Sequence, residues 1–359
     1  MKMRKIKAWF TLITQMGPVA SIGNKFEVLN RFFVLDVLNN QGLFEFISTP
    51  KTYEEILSHF GYKDISYTQE LFKLLREDKG KIILFSEDNN TYQRNPQVEL
   101  PKLQELLNIR DFERIYMASK VPQKFAKSIP NRMSGKSKDL IEELGEPGPS
   151  LFDYDEALTH KLYTALRNSS FAYIKTKKLL KKKILDIGCG SGRETAELWM
   201  KFKGNSYLVG VDPIPSFIET AREHFRLILE ETIQKIAKYK IFPELTEDNH
   251  PEFAAMKAEQ LEFPDESFDA VYLQQILHWA SDPRKAIHEI GRVLKPGGLF
   301  FGCQGTLPLR TPYMDIMIRA HEKVNGFFGL DDFKKWLSEA GFINFERTTP
   351  AGIFKTIKK

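Results

Sequence analysis

The spacing of apolar residues changes twice along the chain and divides it into three sections. From about residue 25 to 95 the pattern is helical and then alternating. Phe33 with Val37 and Val34 with Leu38 lie four apart and form one apolar stripe, with Gly42 as the stop beyond it. Thr52-Tyr-Glu-Glu55 and Ser66-Tyr-Thr-Gln69 both match the capping box, in which a hydroxyl accepts from the first turn and an acidic or amide side chain reaches back, so each predicts a helix start. Lys81 to Phe85, the polar turn Glu87 to Asn90 and Thr91 to Arg94 predict a two-stranded hairpin.

Three helices followed by a hairpin make residues 1–99 a winged-helix-like module. Residues 100–180 read as a helical connector, broken by Pro122, Pro130 and the Gly-Glu-Pro-Gly-Pro run at 145–149, with a helix over Asp155 to Leu179. Residues 181–359 alternate strand and helix signals. The strands are Lys182–Gly188, Tyr207–Asp212, Glu252–Ala258, Phe268–Gln275, Gly298–Gly305, Ile343–Thr349 and Gly352–Lys358. Helical patterns between the first five predict an α/β domain with a parallel sheet covered on both faces. The last two strands are too close for a crossover helix and predict an antiparallel hairpin at the sheet edge.

One stretch concentrates the chemistry. Ile184 to Leu198 reads ILDIGCGSGRETAEL, with three glycines at alternate positions between an apolar strand and a helix opening. Glycine belongs where backbone bends sharply or meets a ligand closely, and a strand, a glycine turn and a helix N-terminus together predict a nucleotide pocket. Asp212 ends the second strand 20 positions after Gly192, near the spacing at which an acidic side chain reaches a ribose diol. The dinucleotide fingerprint requires a glycine where Arg193 stands, and a phosphate loop requires Gly-Lys-Ser/Thr, so neither a pyrophosphate nor a triphosphate is well served.

Composition narrows the remaining classes. Against 52 basic and 47 acidic residues, a net charge of +5 describes an ordinary solvated surface rather than a nucleic-acid arm. The helix from Ser66 to Asp78 carries Glu70, Glu77 and Asp78 beside Lys73 and Arg76, which argues against DNA binding, since phosphate neutralisation needs a net basic face. Cys189 and Cys303 are too few for a disulfide framework or a zinc cluster, so a reducing cytoplasm and no metal are expected. Thr11, Thr14 and Gln15 interrupt the apolar part of the N-terminal stretch, and no run approaches the ~20 residues needed to span a bilayer.

Five motifs in order resemble those of class I S-adenosylmethionine-dependent methyltransferases: DIGCGSG at 186–192, VDP at 211–213, AEQLEFPDESFD at 258–269, ILHWASDP at 276–283 and VLKPGG at 293–298. The N-terminal half is similar to the winged-helix dimerisation module of small-molecule O-methyltransferases. The resemblance implies a Rossmann-like seven-stranded sheet ordered 3-2-1-4-5-7-6 with its last strand antiparallel, S-adenosylmethionine across the carboxyl ends of the first two strands, and a homodimer through the N-terminal module. It also implies the site. Gly188, Cys189 and Gly190 bring backbone to the methionyl and ribose portions, and Asp186 holds that loop and the amino-acid end. Asp212 and Pro213 take the ribose, and the Ala258 N–H meets adenine with Glu259 beside it. Leu273 and Gln274 bring carbonyls to the ammonium. Many relatives have Asp before this alanine, where Lys257 stands here.

His278 falls where winged-helix O-methyltransferases keep the histidine that takes a proton from the acceptor hydroxyl; the alternative is a ring that only packs. Leu273-Gln-Gln-Ile276 lacks the N/D-P-P-Y/F motif of nucleobase-amine methyltransferases, which leaves a small-molecule acceptor. Residues 307–328, with Pro308, Tyr313, Met317 and His321, are the expected acceptor lid. Two further readings are a winged-helix regulator that senses S-adenosylmethionine without transferring methyl, and an RNA methyltransferase, which requires a basic groove.

Overall fold

A computed structural model describes residues 27–103, 106, 120–145, 161–237, 240–307, 312–348 and 352–359. The N-terminal stretch before residue 27, the proline run after Gly145, the start of the Asp155 helix and Pro308 lie outside the described residues. The chain divides into two compact units. One comprises the described residues of 20–140 with those of 309–326, the other those of 141–308 with those of 327–359.

In the first unit, α1 (27–40) carries the predicted stripe inward, with Phe33, Val34 and Leu38 buried. After α2 (Leu43–Phe46) and the short β1 (Lys51–Thr52), α3 (Tyr53–Phe60) opens with the expected capping box between Thr52 and Glu55. α4 (Ile65–Glu77) starts earlier than Ser66 predicts, because the Asp64 carboxylate accepts from the Tyr67 N–H and caps it instead. The hairpin strands β2 (Ile83–Ser86) and β3 (Thr91–Arg94) pair antiparallel, and β1 joins them in the order β1-β3-β2. Two further short helices, α5 (Lys120–Ala126) and α6 (Ile129–Met133), complete the N-terminal part of this unit.

The second unit begins with α7 (Leu140–Gly145) and α8 (Lys161–Tyr173), then builds the sheet from β4 (Lys183–Ile187), α9 (Arg193–Phe202), β5 (Tyr207–Asp212), α10 (Pro215–Ala237), β6 (Glu252–Ala255), β7 (Phe268–Gln274), α11 (Pro283–Val293) and β8 (Leu294–Cys303). α12 (Pro312–Ile318) belongs to the other unit, and α13 (Leu330–Glu339), β9 (Phe342–Arg347) and β10 (Ile353–Lys358) close the sheet. The sheet order β6-β5-β4-β7-β8-β10-β9 is the expected one, parallel except that β10 runs antiparallel to both of its neighbours. The predicted final hairpin therefore inserts its second strand against β8 and leaves β9 at the edge. Two apolar layers cover the faces: one set by Trp199, Phe202 and Phe225, the other by Ile287, Ile290, Phe300 and Phe333.

The long stretch from Pro215 to Pro251 resolves into the 23-residue α10 and a return segment. That segment is tied down by side chains: Arg226 donates to the Leu245 carbonyl, and the Trp199 indole N–H donates to that of Asn249.

Of the expected lid segment, residues 312–326 belong to the first unit, whereas Leu307, Phe327 and Phe328 belong to the second. Tyr313, Ile316 and Met317 of α12 are buried, the Tyr67 hydroxyl donates to the Ile316 carbonyl at 2.8 Å, and the Tyr313 hydroxyl donates to Asp78 at 2.5 Å. Asp78 also receives a two-pronged contact from Arg31 at 2.9 and 3.0 Å. Arg319 pairs with Glu70 and Asp315. α12 thus completes the apolar and ionic interior of the helical unit.

Candidate functional site

Register places the carboxyl ends of three strands side by side, since Ile187 of β4 lies opposite Val211 of β5 on one side and Leu273 of β7 on the other. The glycine turn that follows β4 is fixed to β5, with the N–H groups of Gly188 and Cys189 both donating to the Val211 carbonyl at 2.7 and 3.0 Å. Gly188, Gly190 and Gly192 all have positive φ, at 74°, 53° and 93°. A side chain there costs about 1–2 kcal/mol per residue in the left-handed region. This explains the alternation of glycines: every other residue turns the chain out of the sheet until Gly192 caps the start of α9. A Cβ at Gly188 would collide with the side chain of Ile276, whereas one at Gly190 meets nothing nearer than Phe217 at 4.0 Å, so the second glycine leaves open room at the elbow.

Asp212 braces this elbow. Its Oδ2 accepts from the Gly190 N–H at 3.1 Å and its Oδ1 from the Ile214 N–H at 3.0 Å, which leaves one acceptor direction on each oxygen. Burial pushes its pKa up to about 6 despite those two amides. Asp186 is fully buried at the end of β4. Its Oδ2 accepts from the Thr195 hydroxyl at 2.6 Å, while its Oδ1 has no hydrogen-bond partner. Burial, opposed by Thr195 and reinforced by the neighbouring Asp212, raises that carboxyl to about 7. An orphaned carboxylate oxygen under a glycine elbow is a place for a cationic donor.

Below the elbow, Arg167 of α8 is wholly buried between Glu194 and Glu197, at 3.2 and 2.7 Å. Desolvation raises Glu194 to about 8, against the pull of Arg167. This pairing holds the first turn of α9 in place. Nothing in the sequence signals it, because a lone arginine in a helix reads as a solvated side chain.

On the far side of the elbow, Met256 donates its N–H to the Asp212 carbonyl, and Ala258 lies buried in the turn closed by the Gln260 N–H on the Lys257 carbonyl. Glu259 is engaged elsewhere. One of its oxygens accepts from the Ser281 N–H and hydroxyl at 2.8 and 2.9 Å, where it ties the turn to the segment leading into α11. Leu273 and Gln274 end β7 as expected; the Gln274 amide oxygen accepts from the Tyr272 hydroxyl, and its amide nitrogen is buried with no partner.

His278 follows β7 and is buried at 4% exposure. Its ring stacks on Phe327 at 4.2 Å between centroids and 15° between planes, with Trp279 at 4.8 Å. Burial drives its pKa down to about 3, so the ring is neutral. Its Nδ1 lies 3.2 Å from the amide nitrogen of Gln304, a residue that follows β8. Gln275 takes the left-handed conformation at φ 57° and spans the same gap in the opposite direction, accepting from the Gly305 N–H at 2.8 Å and donating to Cys303 Sγ at 3.3 Å. Sequence reasoning missed Gln275 and Gln304; the signal open to it was a pair of amide side chains at the ends of adjacent strands. Neither cysteine forms a disulfide, and both are buried.

Residues 185–302 match the family model described as a methyltransferase domain. An uncharacterized methyltransferase of Schizosaccharomyces pombe is 36% identical over 116 residues, which are 32% of this chain and 37% of that one. A demethylmenaquinone methyltransferase of Clavibacter sepedonicus is 27% identical over 196 residues, 48% of this chain and 70% of that one. The chain therefore spans little more than a third of the first of these curated relatives. Among solved structures, the citrinin polyketide synthase CMeT domain superposes with a TM-score of 0.69 at 15% identity, covering 99% of this chain and 94% of that one. The CurJ carbon methyltransferase gives 0.67 at 14%, covering 96% and 98%. At such identities these two likenesses concern the fold. With the sheet order and the motif series, they identify the second unit as a class I methyltransferase fold. No helix among the described residues is long and apolar enough to cross a membrane.

Proposed function

With residues 185–302 a methyltransferase domain as premise, we propose that this chain is an S-adenosylmethionine-dependent methyltransferase acting on a small-molecule acceptor. One observation carries the reading: an elbow of positive-φ glycines braced by Asp212, with the unpartnered buried oxygen of Asp186 beneath it. The residues suit the donor's parts. Gly188, Cys189 and Gly190 offer bare backbone, Asp212 has acceptor capacity left for two ribose hydroxyls, and Pro213 follows it at the strand end. Asp186 Oδ1 and the carbonyls of Leu273 and Gln274 suit the ammonium of the amino-acid end, and the Ala258 N–H suits adenine. Glu259, committed to the Ser281 turn, supports that backbone from behind.

When bound, S-adenosylmethionine supplies a methyl group activated by its sulfonium, released to the acceptor as the carbon–sulfur bond breaks with its electron pair left on sulfur. The protein's part is alignment and exclusion of water. His278 serves the acceptor end, from the strand end next to the elbow; Ile276, two residues earlier, rests on Gly188.

The first unit, with helices ahead of a three-stranded antiparallel hairpin sheet, serves as a winged-helix dimerisation module in a cytoplasmic homodimer. Its basic side chains on α4 are already occupied: Lys73 faces Glu77 at 3.9 Å and Arg76 lies over the Phe85 ring at 4.5 Å. That supports protein packing over DNA contact. The enzyme reading is tested by calorimetric titration with S-adenosylhomocysteine, followed by incubation of the protein with labelled methyl donor and a small-molecule extract. Absence of any binding heat across the micromolar range overturns it.

A further inference from the structure

The amide of Gln304 has only one orientation that satisfies its neighbours. Its Oε1 accepts from the Leu277 N–H at 3.1 Å, so its nitrogen is the atom that faces the His278 ring. That nitrogen donates one hydrogen to the Gly305 carbonyl at 2.9 Å and directs the other at His278 Nδ1, 3.2 Å away. An amide N–H donates and never accepts, so Nδ1 must be the bare nitrogen of the neutral ring and Nε2 must carry the proton. The stacked Phe327 and the neighbouring Trp279 fix the ring plane. Gln304, Trp279 and Phe327 do not titrate, and burial alone accounts for the depressed basicity of the ring, with no charged side chain of the described residues contributing.

We propose that Gln304 is a positioning residue that fixes His278 as an Nε2–H donor, so that the ring receives a negatively charged acceptor oxygen and does not remove a proton from it. The inference rests on the methyltransferase reading and names the acceptor chemistry that reading lacks. The acceptor reaches the site as an anion whose charge lies on oxygen, a phenolate or the enolate of a carbon acid. Its proton has gone to solvent before binding, so a neutral histidine with a bare Nδ1 already engaged has none to take. A basic Nε2 would need an acceptor at residue 304 to hold Nδ1–H, and an amide nitrogen is the opposite.

The full chain with ¹⁵N-labelled histidine tests this by long-range proton–nitrogen correlation from pH 5 to 8.5, with the ring assigned by its loss in His278→Phe. The expected pattern is a protonated Nε2 and a bare Nδ1 that do not titrate in that range. In Gln304→Glu, the carboxylate accepts from Nδ1–H, the two nitrogens exchange roles, and titration enters the range. A protonated Nδ1 in the parent, or a ring that titrates near 6.5 as free histidine does, overturns the proposal even if the variant fails to fold.

A kinetic arm uses labelled donor with the small-molecule extract. His278→Gln keeps an N–H donor and no base, so it retains at least about a tenth of the parent's transfer, a loss of one hydrogen bond's worth. His278→Phe falls further. A fall of about 10²–10⁴-fold in His278→Gln, equal to that in His278→Phe, is what a lost general base gives and refutes the donor role. Failure of the parent to bind S-adenosylhomocysteine would strike the enzyme reading while leaving the nitrogen pattern intact.

Discussion

Replacing Asp212 by alanine tests the core of the site because two consequences of that change can be separated. The side chain now accepts from the Gly190 and Ile214 amides at 3.1 and 3.0 Å. Its removal strands both, at about 1–3 kcal/mol each if they stay buried. That part appears as a lower melting temperature in the free protein. The second part is the lost grip on the sugar: two hydrogen bonds to a charged acceptor are worth about 1.5–3 kcal/mol each. A loss of ~3 kcal/mol or more is at least a hundredfold in Kd for S-adenosylhomocysteine, since about 1.4 kcal/mol is tenfold.

Acidity gives an independent check on the same carboxyl. It titrates at about 6 in the free protein, and two ribose hydroxyls require its ionised form. Binding to the parent therefore weakens as pH falls through 6, by roughly tenfold at pH 5, one unit below. Calorimetry at pH 7.5 and pH 5, with circular dichroism to confirm folding, reads both effects. An alanine variant that binds within threefold of the parent at pH 7.5 refutes the assignment of Asp212 to the sugar.

Gly188→Ala should lower stability by about 1–3 kcal/mol, because the new methyl must displace Ile276 from a backbone at φ 74°; thermal melting measures it. Arg167→Met should cost about 3–5 kcal/mol by leaving Glu194 and Glu197 buried without their cation, seen as a lower urea midpoint. The carboxyls of Asp186 and Asp212 are raised on folding, so their contribution to stability is full below about pH 4 and is lost as pH rises through 6 to 7. Differential scanning fluorimetry should show that loss in the free parent, and Asp186→Asn should reduce it.

What could be read in the letters and what could not follow from the range of the forces involved. The elbow was legible because glycine tolerates a backbone that other residues resist, so Gly188, Gly190 and Gly192 state their conformation wherever they stand. The sheet order came from the motif resemblance and the spacing of Ile343–Lys358, which forbids a crossover. The fate of residues 312–318 was not legible: an apolar stripe says that Tyr313, Ile316 and Met317 are covered, but not by which part of the chain. Glu259 misled for a related reason. Its neighbour Ala258 sits in the expected turn, yet a long carboxylate reaches whichever amides lie closest, and those belong to Ser281 and Asp282. The link from Gln304 to His278 spans 26 positions and depends on which end of an amide faces a ring, something no residue pattern encodes.

The placement of α12 bears on how the polypeptide acquires its shape during synthesis. The Asp78 cluster waits for Tyr313, and Tyr67 waits for Ile316, more than two hundred residues later. An emerging chain therefore completes this helical unit only after most of the sheet-forming residues have left the ribosome. Any truncation placed between the glycine turn and residue 318 deprives the helical unit of its last wall.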